Sequence, residues 1–411
     1  MTHSVIQVPR DDAAGAARHR SYETPANVVR VSEAVRHHDF VSALESVRGL
    51  AALTVLIFHS AVFFRHGQDD PLEKTLWALK SNEELLGRLI SVAFNGHLAV
   101  SLFFVLSGFV LALSLRRDDR SFPRQAGAFV SRRVFRIYPA LVINLLATLA
   151  IIAALASAFP MIGYSSFTLG QLAENLLLYN FSVNGATWTL LIELLAVPLL
   201  LISYLLALWF GISGMLTLAV ATIVILFNPG LVRRLLPGDS SFMYFVRTFI
   251  VDYQFMFIFG MLVAELPMRD QLRKESLAVK IAAVASLVAM LGARFLLGYS
   301  SRWSLLIEGA AAAAVTGLLA YGPRLAVHNL LEWHPIRFLG RISYSFYLYH
   351  ATALALLVPA TGWYMTTPWL NARPFLATLI IATTATVVTT PLAWLSYKLV
   401  ERPMMQFGRR L

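Results

Sequence analysis

The stretch from Glu45 to Phe64, ESVRGLAALTVLIFHSAVFF, decides how the rest of this 411-residue chain is interpreted. It is apolar enough to cross a bilayer, yet it contains Arg48 near one end and His59 well inside. Ionisable groups at membrane depth are costly, and they usually face a protein interior or a wet cavity. Each of the two is therefore a candidate functional residue.

Arg48 and His59 are eleven residues apart, and this spacing places them on one face of a helix. Eleven steps of about 100° end roughly 20° past three full turns. With a rise of about 1.5 Å per residue, the two side chains lie about 16 Å apart along the axis. Between them lie Ala51, Ala52 and Val55, whose small size leaves room for a narrow ligand. A permanent cation at the mouth and a titratable base inside suit a long anionic ligand.

The composition predicts an all-α, polytopic membrane protein with about ten transmembrane helices around a central cavity. Hydrophobic residues make up 57% of the chain and charged residues only 14%, against about a quarter charged in soluble domains. The apolar residues form blocks close to the roughly 20 residues that span the hydrocarbon core. The predicted spans are 46–65, 93–115, 138–160, 186–209, 211–228, 245–265, 277–298, 303–321, 339–358 and 375–398.

Several classes of function are disfavoured by what the sequence lacks. The chain has no cysteine, which excludes disulfides, a thiol nucleophile and thiolate metal sites. Its net charge of +11 is accompanied by no nucleic-acid-binding motif, and in a membrane protein such an excess is typical of cytoplasmic loops. His328 and His334 share a loop without further ligands at metal-binding spacing, so no metal site is expected. There is no GxSxG, HExxH or glycine-rich phosphate loop.

The loop charges predict the orientation. Residues 116–136 contain seven arginines and two aspartates, a net charge of +5, whereas residues 65–88 have four basic and five acidic residues, a net charge of −1. The positive-inside rule places 116–136 in the cytoplasm and, with an even number of spans, both termini as well. We therefore expect a disordered cytoplasmic tail at 1–40, a transmembrane domain at 41–405 and a short cytoplasmic tail at 406–411.

At the predicted depth of His59 the sequence offers partners for acid–base chemistry. A histidine acts as a general base when a carboxylate orients it and stabilises the imidazolium. Glu193 is the preferred partner, and Asp252 and Glu308 stay open as alternatives. His350 lies at a similar depth, although its tyrosine neighbours also suit a packed core residue. The competing interpretation of His59 is a hydrogen bond across helices, and that of Arg48 is a contact with lipid headgroups.

Six short motifs are spread along residues 41–405. Together and in this order they resemble the acyltransferase 3 family, integral membrane acyltransferases that O-acetylate cell-surface polysaccharides, lipopolysaccharide, peptidoglycan and related glycans. The motifs are Arg48-Gly49 with His59 eleven residues after Arg48, LFFVLSGF at 102–109, RVFRIYP at 133–139, Trp188-Thr189-Leu190 with Glu193, GRISYSFYLYH at 340–350, and Glu401-Arg402-Pro403.

The resemblance implies a ten-helix membrane domain that uses cytoplasmic acyl-CoA, such as acetyl-CoA, as a donor substrate and has no bound cofactor. It assigns the essential histidine to His59 and the essential arginine to Arg48, and it suggests that Arg133 and Arg136 help to hold the donor's phosphates. The remaining motif residues expected to contribute to binding of donor or substrate are Ser107, Trp188 and His350.

The sequence therefore predicts an O-acyltransferase, most simply an O-acetyltransferase, in the inner membrane of a bacterium, with a glycan or lipid-linked sugar as acceptor. His59 is expected to act as general base oriented by Glu193, and a relay in which His59 is itself acylated stays open. The alternative is a transporter or flippase of a lipid-linked sugar. Such proteins usually show inverted repeats and paired broken helices, which are not evident in this sequence.

Overall fold

The protein is helical throughout the part of the chain that the computed structural model describes, which comprises residues 26–63, 85, 89, 92–158, 167–266, 269–298, 301–357, 367, 369 and 373–410. No β-strand occurs in these ranges, and eight helices there are long and apolar enough to cross a membrane. The predicted all-α, polytopic membrane fold is thus confirmed. The helices are α1 (Ala26–Phe63), α2 (Gly96–Arg116), α3 (Phe122–Ala158), α4 (Leu169–Leu176), α5 (Trp188–Phe227), α6 (Pro229–Leu235), α7 (Ser241–Thr248), α8 (Gln254–Glu265), α9 (Arg269–Leu272), α10 (Leu277–Leu297), α11 (Arg302–Tyr321), α12 (Ala326–Leu331), α13 (His334–Arg341), α14 (Ser343–Leu356), α15 (Pro374–Ser396) and α16 (Arg402–Gly408).

The first helix begins within the segment predicted to be a disordered tail. Residues 1–25 lie outside the described residues, but α1 starts at Ala26. The segment 26–40 contains neither glycine nor proline, and its alanine, glutamate and arginine residues favour a helix. The chain divides into two units, 1–39 and 40–411, and the site described below lies wholly in the second.

Helix α5 contains the break predicted between the fourth and fifth spans. Two helices meet at Gly211, which has non-helical angles (φ 61°, ψ −148°) that only glycine adopts easily. The two predicted spans on either side of Gly211 correspond to these two helical parts of α5. The predicted ninth span, 339–358, coincides with the shorter helices α13 and α14 as far as Leu357, while residue 358 lies outside the described part.

Helix α3 is longer than predicted and includes most of the arginine-rich segment that the sequence assigned to a loop. Only residues 117–121 connect it to α2. The Gln125 side-chain amide donates to the backbone oxygens of Leu115 (2.5 Å) and Asp118 (3.1 Å), which ties the helix start to the preceding turn. Asp118 also accepts from Arg120 (2.8 Å), and this hydrogen bond holds the pKa of the Asp118 carboxyl well below its usual range.

Two glycines let the central helices α2 and α8 touch at backbone distance. A Cβ atom added to Gly108 would lie 2.1 Å from the Phe257 carbonyl oxygen, and one added to Gly260 would lie 2.0 Å from that of Val105. Small residues at such crossings are typical of helix pairs in membranes. Gly108 and Gly260 thus permit α2 and α8 to pack closely.

A second glycine pair fixes the position of α1 against α13. A Cβ atom on Gly49 would lie 2.5 Å from the Gly340 nitrogen, and one on Gly340 would lie 2.5 Å from the Glu45 carbonyl oxygen. His59 follows Gly49 by ten residues and His350 follows Gly340 by ten residues. Helix α1 rises about 15 Å over its ten residues, and the α13–α14 segment, which turns at Ile342, brings His350 to the same level as His59.

Candidate functional site

The two histidines that follow the glycine contact are hydrogen-bonded to each other. His59 Nδ1 lies 2.8 Å from His350 Nε2, and the two rings are nearly parallel, with centroids 5.1 Å apart and an angle of 17° between planes. His350 is fully buried, whereas His59 is half-buried. The sequence grouped these residues only by predicted depth, and the structure brings them into direct contact.

The partners of His350 determine which nitrogen of His59 can act as a base. His350 Nδ1 lies within hydrogen-bond distance of the Tyr347 carbonyl oxygen, which can only accept, so this nitrogen carries the proton. In the neutral ring His350 Nε2 is then an acceptor, and His59 Nδ1 must donate to it. The remaining nitrogen of His59, Nε2, therefore has a free lone pair. The arrangement presents one imidazole nitrogen in the protonation state that a general base requires.

Arg48 lines a narrow cleft. Arg48 lies eleven residues before His59 on α1, which corresponds to about 16 Å along the helix axis. The cleft volume is about 30 Å³, far below the roughly 300–1,000 Å³ that is usual for small-molecule sites. Its wall combines the half-buried guanidinium with aromatic and hydroxyl side chains. The residues that line it are Arg48, Val100, Phe103, Phe104, Thr189, Leu190, Glu193, Ser343, Tyr344 and Tyr347.

Tyr347 connects the cleft to the histidine pair. Its hydroxyl donates to the Ala186 carbonyl oxygen (3.1 Å) and accepts from Thr189 Oγ1 (3.1 Å), so the side chain is held in place. The Tyr347 ring lies 5.4 Å from that of His350 and 5.8 Å from that of Phe103, measured between centroids. Tyr347 thus belongs both to the cleft wall and to the surroundings of His350.

The face of α1 between Arg48 and His59 is packed rather than open. Ala51, Ala52 and Val55 are at most 5% exposed and belong to the main hydrophobic core. The expectation that their small size leaves room for a ligand is wrong for this structure, because neighbouring helices fill the space instead. Small side chains in a bundle permit close helix approach as readily as they create a groove.

Three arginines and two glutamates meet at the Arg48 end of the bundle. Arg133, which is buried, donates to Glu193 across 3.0 Å. Glu401 is 3% exposed and accepts from Ser345 Oγ at 2.7 Å. Arg48 interacts electrostatically with Arg136 and with the carboxylates of Glu193, Glu401 and Glu45.

This arginine cluster is defined as Arg48, Arg133 and Arg136 with Glu193 and Glu401. When Glu45, which also interacts with Arg48, is counted, three arginines face three glutamates. Arg133 has its own carboxylate partner. Within the described part of the chain, no carboxylate lies at salt-bridge distance from Arg48 or Arg136. These two guanidiniums are therefore available for an anionic ligand, and guanidinium is the side chain best suited to phosphate.

The depth assigned to Glu193 from the sequence is wrong, because α5 starts inside the bundle. Asn184, just before the helix, donates to Asn144 Oδ1 at 2.7 Å. Asn144 lies eleven residues beyond Arg133 on α3, and Glu193 lies nine residues beyond Asn184. The antiparallel helices therefore bring Glu193 to the level of Arg133 and Arg48, not to the level of His59.

The other two candidate carboxylates also have arginine partners. Asp252 accepts from Arg302 at 2.5 Å, and Glu308, which is fully buried, accepts from Arg294 Nε at 2.7 Å. The hydrogen bond of His59 goes to a histidine, so the expected orientation of His59 by a carboxylate is not what the structure has. Among the described residues, no three histidine, aspartate or glutamate side chains form a cluster suited to a metal ion.

Two further motif residues lie outside the cleft wall. Ser107 does not line the cleft among the described residues. Trp188 stacks on Phe245 and packs against Tyr253, with centroid distances of 5.5 and 5.6 Å. Trp188 thus contributes to an aromatic cluster at the start of α5, while its neighbour Thr189 reaches the cleft.

Sequence reasoning did not single out three residues of the site. Tyr347 and Glu401 each lie within a motif that the sequence analysis quoted, but tyrosine and a glutamate near the chain end gave no signal of burial. The ring of His97 packs edge-on against Phe58, next to His59, with centroids 5.6 Å apart. His97 lies two residues after the helix cap Asn95. This position is near the start of the predicted span 93–115, so the sequence offered no reason to select His97 as a site residue.

Taken together, the fold and this site define a polytopic α-helical membrane protein with a histidine pair between α1 and α14 and an arginine cluster on α1 and α3. The sequence model of the acyltransferase 3 family, described as an acyltransferase domain, matches residues 41–398, nearly the whole chain. The chain belongs to this family, and it is a membrane acyltransferase. Comparison with curated proteins and with solved structures found no match.

Proposed function

We propose that this protein is an O-acyltransferase that moves an acyl group, most simply acetyl, from acyl-CoA to a hydroxyl of a cell-envelope or exported glycan. The single observation that carries the proposal is the histidine pair, which leaves Nε2 of His59 as a free base. The guanidinium of Arg48, three turns away on the same helix, together with those of Arg133 and Arg136 on α3, supports an anionic donor. Family membership supports acyl transfer as the reaction class.

In this proposal the phosphates of CoA bind at the arginine cluster, and the pantetheine arm extends toward His59. Arg48 and Arg136 would contact the phosphates, while Arg133 holds Glu193 and shapes the wall. Because the cleft volume of about 30 Å³ is far below that of a usual small-molecule site, the donor would have to displace the side chains of Phe103 and Tyr347. The reacting thioester would then lie beside the histidine pair.

The chemical step needs one proton acceptor and one proton donor. The acceptor hydroxyl oxygen forms a bond to the thioester carbonyl carbon, and His59 Nε2 removes the hydroxyl proton. The carbon–sulfur bond breaks, and the sulfur leaves as CoA, which takes up the proton. His350 is a positioning residue in this scheme, since its lone pair keeps the other His59 nitrogen protonated. General-base assistance of this kind contributes about 10²–10⁴-fold.

A relay fits the same geometry. In that route His59 Nε2 itself attacks the carbonyl, CoA leaves, and the acyl-imidazole then transfers the acyl group to the sugar hydroxyl. The two routes differ in whether labelled acetyl stays on the protein without acceptor. Acid quenching of the protein with labelled acetyl-CoA, followed by peptide mass spectrometry of the peptide that contains His59, distinguishes them.

With the predicted orientation, the donor binds from the cytoplasm of a bacterium and the acceptor is met within or across the inner membrane. The arginine cluster lies on the segments that the positive-inside rule assigns to the cytoplasm. A glycan that is still linked to lipid would reach such a site laterally. Cysteine labelling of single introduced residues from either side of the membrane tests this orientation.

The function is tested with membranes that contain the wild-type protein, His59→Gln or the control His334→Gln, whose side chain is exposed. Because the chain has no cysteine, a thiol reagent reports CoA released from acetyl-CoA with little background from this protein. We expect His59→Gln to lose CoA release and the acetyl signal of envelope glycans in NMR spectra. The control should keep both. CoA release that is independent of His59, or a wild-type protein indifferent to acetyl-CoA, would overturn the proposal.

A further inference from the structure

A second cavity lies near the glycine contact between α1 and α13, and neither the proposed reaction nor the arginine cluster uses it. Its volume is about 460 Å³, which falls in the usual range for small-molecule sites. It lies between α13–α14 and the end of α15. The residues that line it are Phe338, Arg341, Ile342, Trp394, Tyr397, Lys398 and Arg402.

The wall of this cavity carries three cations and no acid among the described lining residues. Arg341, Lys398 and Arg402 are all exposed. The Lys398 ammonium lies 5.0 Å from the centroid of the Trp394 ring, and the Arg341 guanidinium carbon lies 6.0 Å from that of Phe338. Aromatic faces thus hold two of the cations, and the three side chains give the cavity wall a formal charge of +3.

A π-helical turn separates the cations of this cavity from the buried acid next to them. Residues Tyr397–Glu401 form this turn, which joins α15 to α16. It directs Glu401 inward, where Ser345 donates to its carboxylate at 2.7 Å, and leaves Lys398 and Arg402 at the surface. π-Helical turns inside α-helices occur frequently at functional sites.

The surroundings of the cavity are those of a membrane interface. Leu395 and Leu399 follow Trp394 and Lys398 on the same stretch of helix, and they are 47% and 62% exposed. Exposed leucines on a membrane helix face lipid, and tryptophan and tyrosine are enriched at the level of the headgroups. The cavity is therefore bordered by hydrocarbon on one side and by the arginine-rich end of the protein on the other.

We propose that this cavity binds the headgroup of an anionic phospholipid from the adjoining leaflet. Arg341, Lys398 and Arg402 would surround the phosphate, and the acyl chains would pass Trp394 and Leu399 into the bilayer. Basic pockets between transmembrane helices are suited to such headgroups. A soluble phosphate compound would use the cations but gain nothing from the exposed leucines. The proposal does not depend on the proposed acyl transfer.

The experiment compares Arg341→Gln/Lys398→Gln/Arg402→Gln with the control Arg337→Gln/Arg409→Gln/Arg410→Gln. The control removes three exposed cations, on α13 and after α16, that do not line the cavity. Detergent-purified proteins are titrated with phosphatidylglycerol or phosphatidylcholine in mixed micelles, and thermal unfolding and native mass spectrometry are recorded. Phosphatidylglycerol should stabilise wild type and control more than phosphatidylcholine does, and its affinity for the cavity variant should fall about 100-fold.

Two further titrations test whether a soluble phosphate compound, and not a phospholipid, binds in this cavity. Glycerol 1-phosphate and CoA, at the same phosphate concentration, should neither stabilise the protein through these residues nor displace bound phosphatidylglycerol. Displacement by CoA would overturn the proposal in favour of a donor site, and equal phosphatidylglycerol binding by the cavity variant and wild type would overturn it directly. If the triple variant does not fold, Lys398→Gln alone, measured by native mass spectrometry of bound lipid, gives the same comparison.

Discussion

Replacement of His350 tests the chain of hydrogen bonds that prepares His59. In His350→Phe the ring is retained, but His59 Nδ1 loses the acceptor that lies 2.8 Å away. An unsatisfied buried donor costs about 1–3 kcal/mol. If this cost adds to the activation free energy, of which about 1.36 kcal/mol corresponds to a tenfold change in rate, kcat falls about 5- to 150-fold. KM for acetyl-CoA should change little, because the arginine cluster lies about 16 Å away along the helix.

The variant His350→Gln separates positioning from packing. The glutamine amide can place an oxygen near the position of His350 Nε2, so it can accept from His59 Nδ1. We expect kcat of His350→Gln to recover most of the loss seen in His350→Phe. CoA release from acetyl-CoA is measured at saturating and subsaturating donor, with expression and thermal unfolding as folding controls. A well-folded His350→Phe within about twofold of wild type, or a glutamine variant no better than phenylalanine, would refute the reasoning.

Three further predictions follow from the described contacts. Arg48→Gln should raise KM for acetyl-CoA about 5- to 150-fold, because a charge-assisted contact is lost. Turnover of S-acetyl-N-acetylcysteamine, a donor that lacks phosphates, should stay unchanged. Equal effects on both donors would contradict phosphate binding by Arg48. Gly260→Ala should destabilise the protein by about 1–3 kcal/mol, because its Cβ would meet the Val105 oxygen at 2.0 Å, whereas Gly127→Ala, with nothing within 4 Å, should not; thermal unfolding in detergent measures the difference. Because the pKa of the Asp118 carboxyl is lowered in the folded protein, its contribution to stability is present above the unfolded pKa of 3.8 and is lost as the pH falls through the folded pKa. Hydrogen exchange of residues 116–125 should therefore differ between wild type and Asp118→Asn at pH 7, and the two should converge in acid.

The sequence predicted the polytopic fold because hydrophobic blocks of membrane length are set by local composition alone. The break at Gly211 was also predictable, since glycine interrupts a helix wherever the chain needs a positive φ. The helical path of residues 122–136 was not, because arginine is a good helix former and also the signal for a cytoplasmic loop. Loop charge predicts a side of the membrane, not the conformation of the segment that carries the charge.

The partner of His59 could not be predicted from depth. That prediction assumed that each span starts at the membrane surface, so Glu193 was placed near the outer end of its span. Helix α5 instead starts inside the bundle, where Asn184 bonds to Asn144. A hydrogen bond between residues forty positions apart leaves no periodic trace in one sequence, and the shift of Glu193 follows from it. The contact between His59 and His350 depends on the same kind of information.

The glycine contact explains why the histidine pair and the arginine cluster form one unit. Gly49 and Gly340 hold α1 and α13 at backbone distance, and His59 and His350 each follow their glycine by ten residues. Arg48 directly precedes one glycine, so the separation of cation and base is set by helix rise and not by flexible loops. In the proposed function, a donor would open the cleft either by moving side chains such as Phe103 and Tyr347 or by separating the helices. Since backbone contact resists separation, side-chain movement would be the less costly route, and His59 would keep its distance from Arg48 while the donor entered.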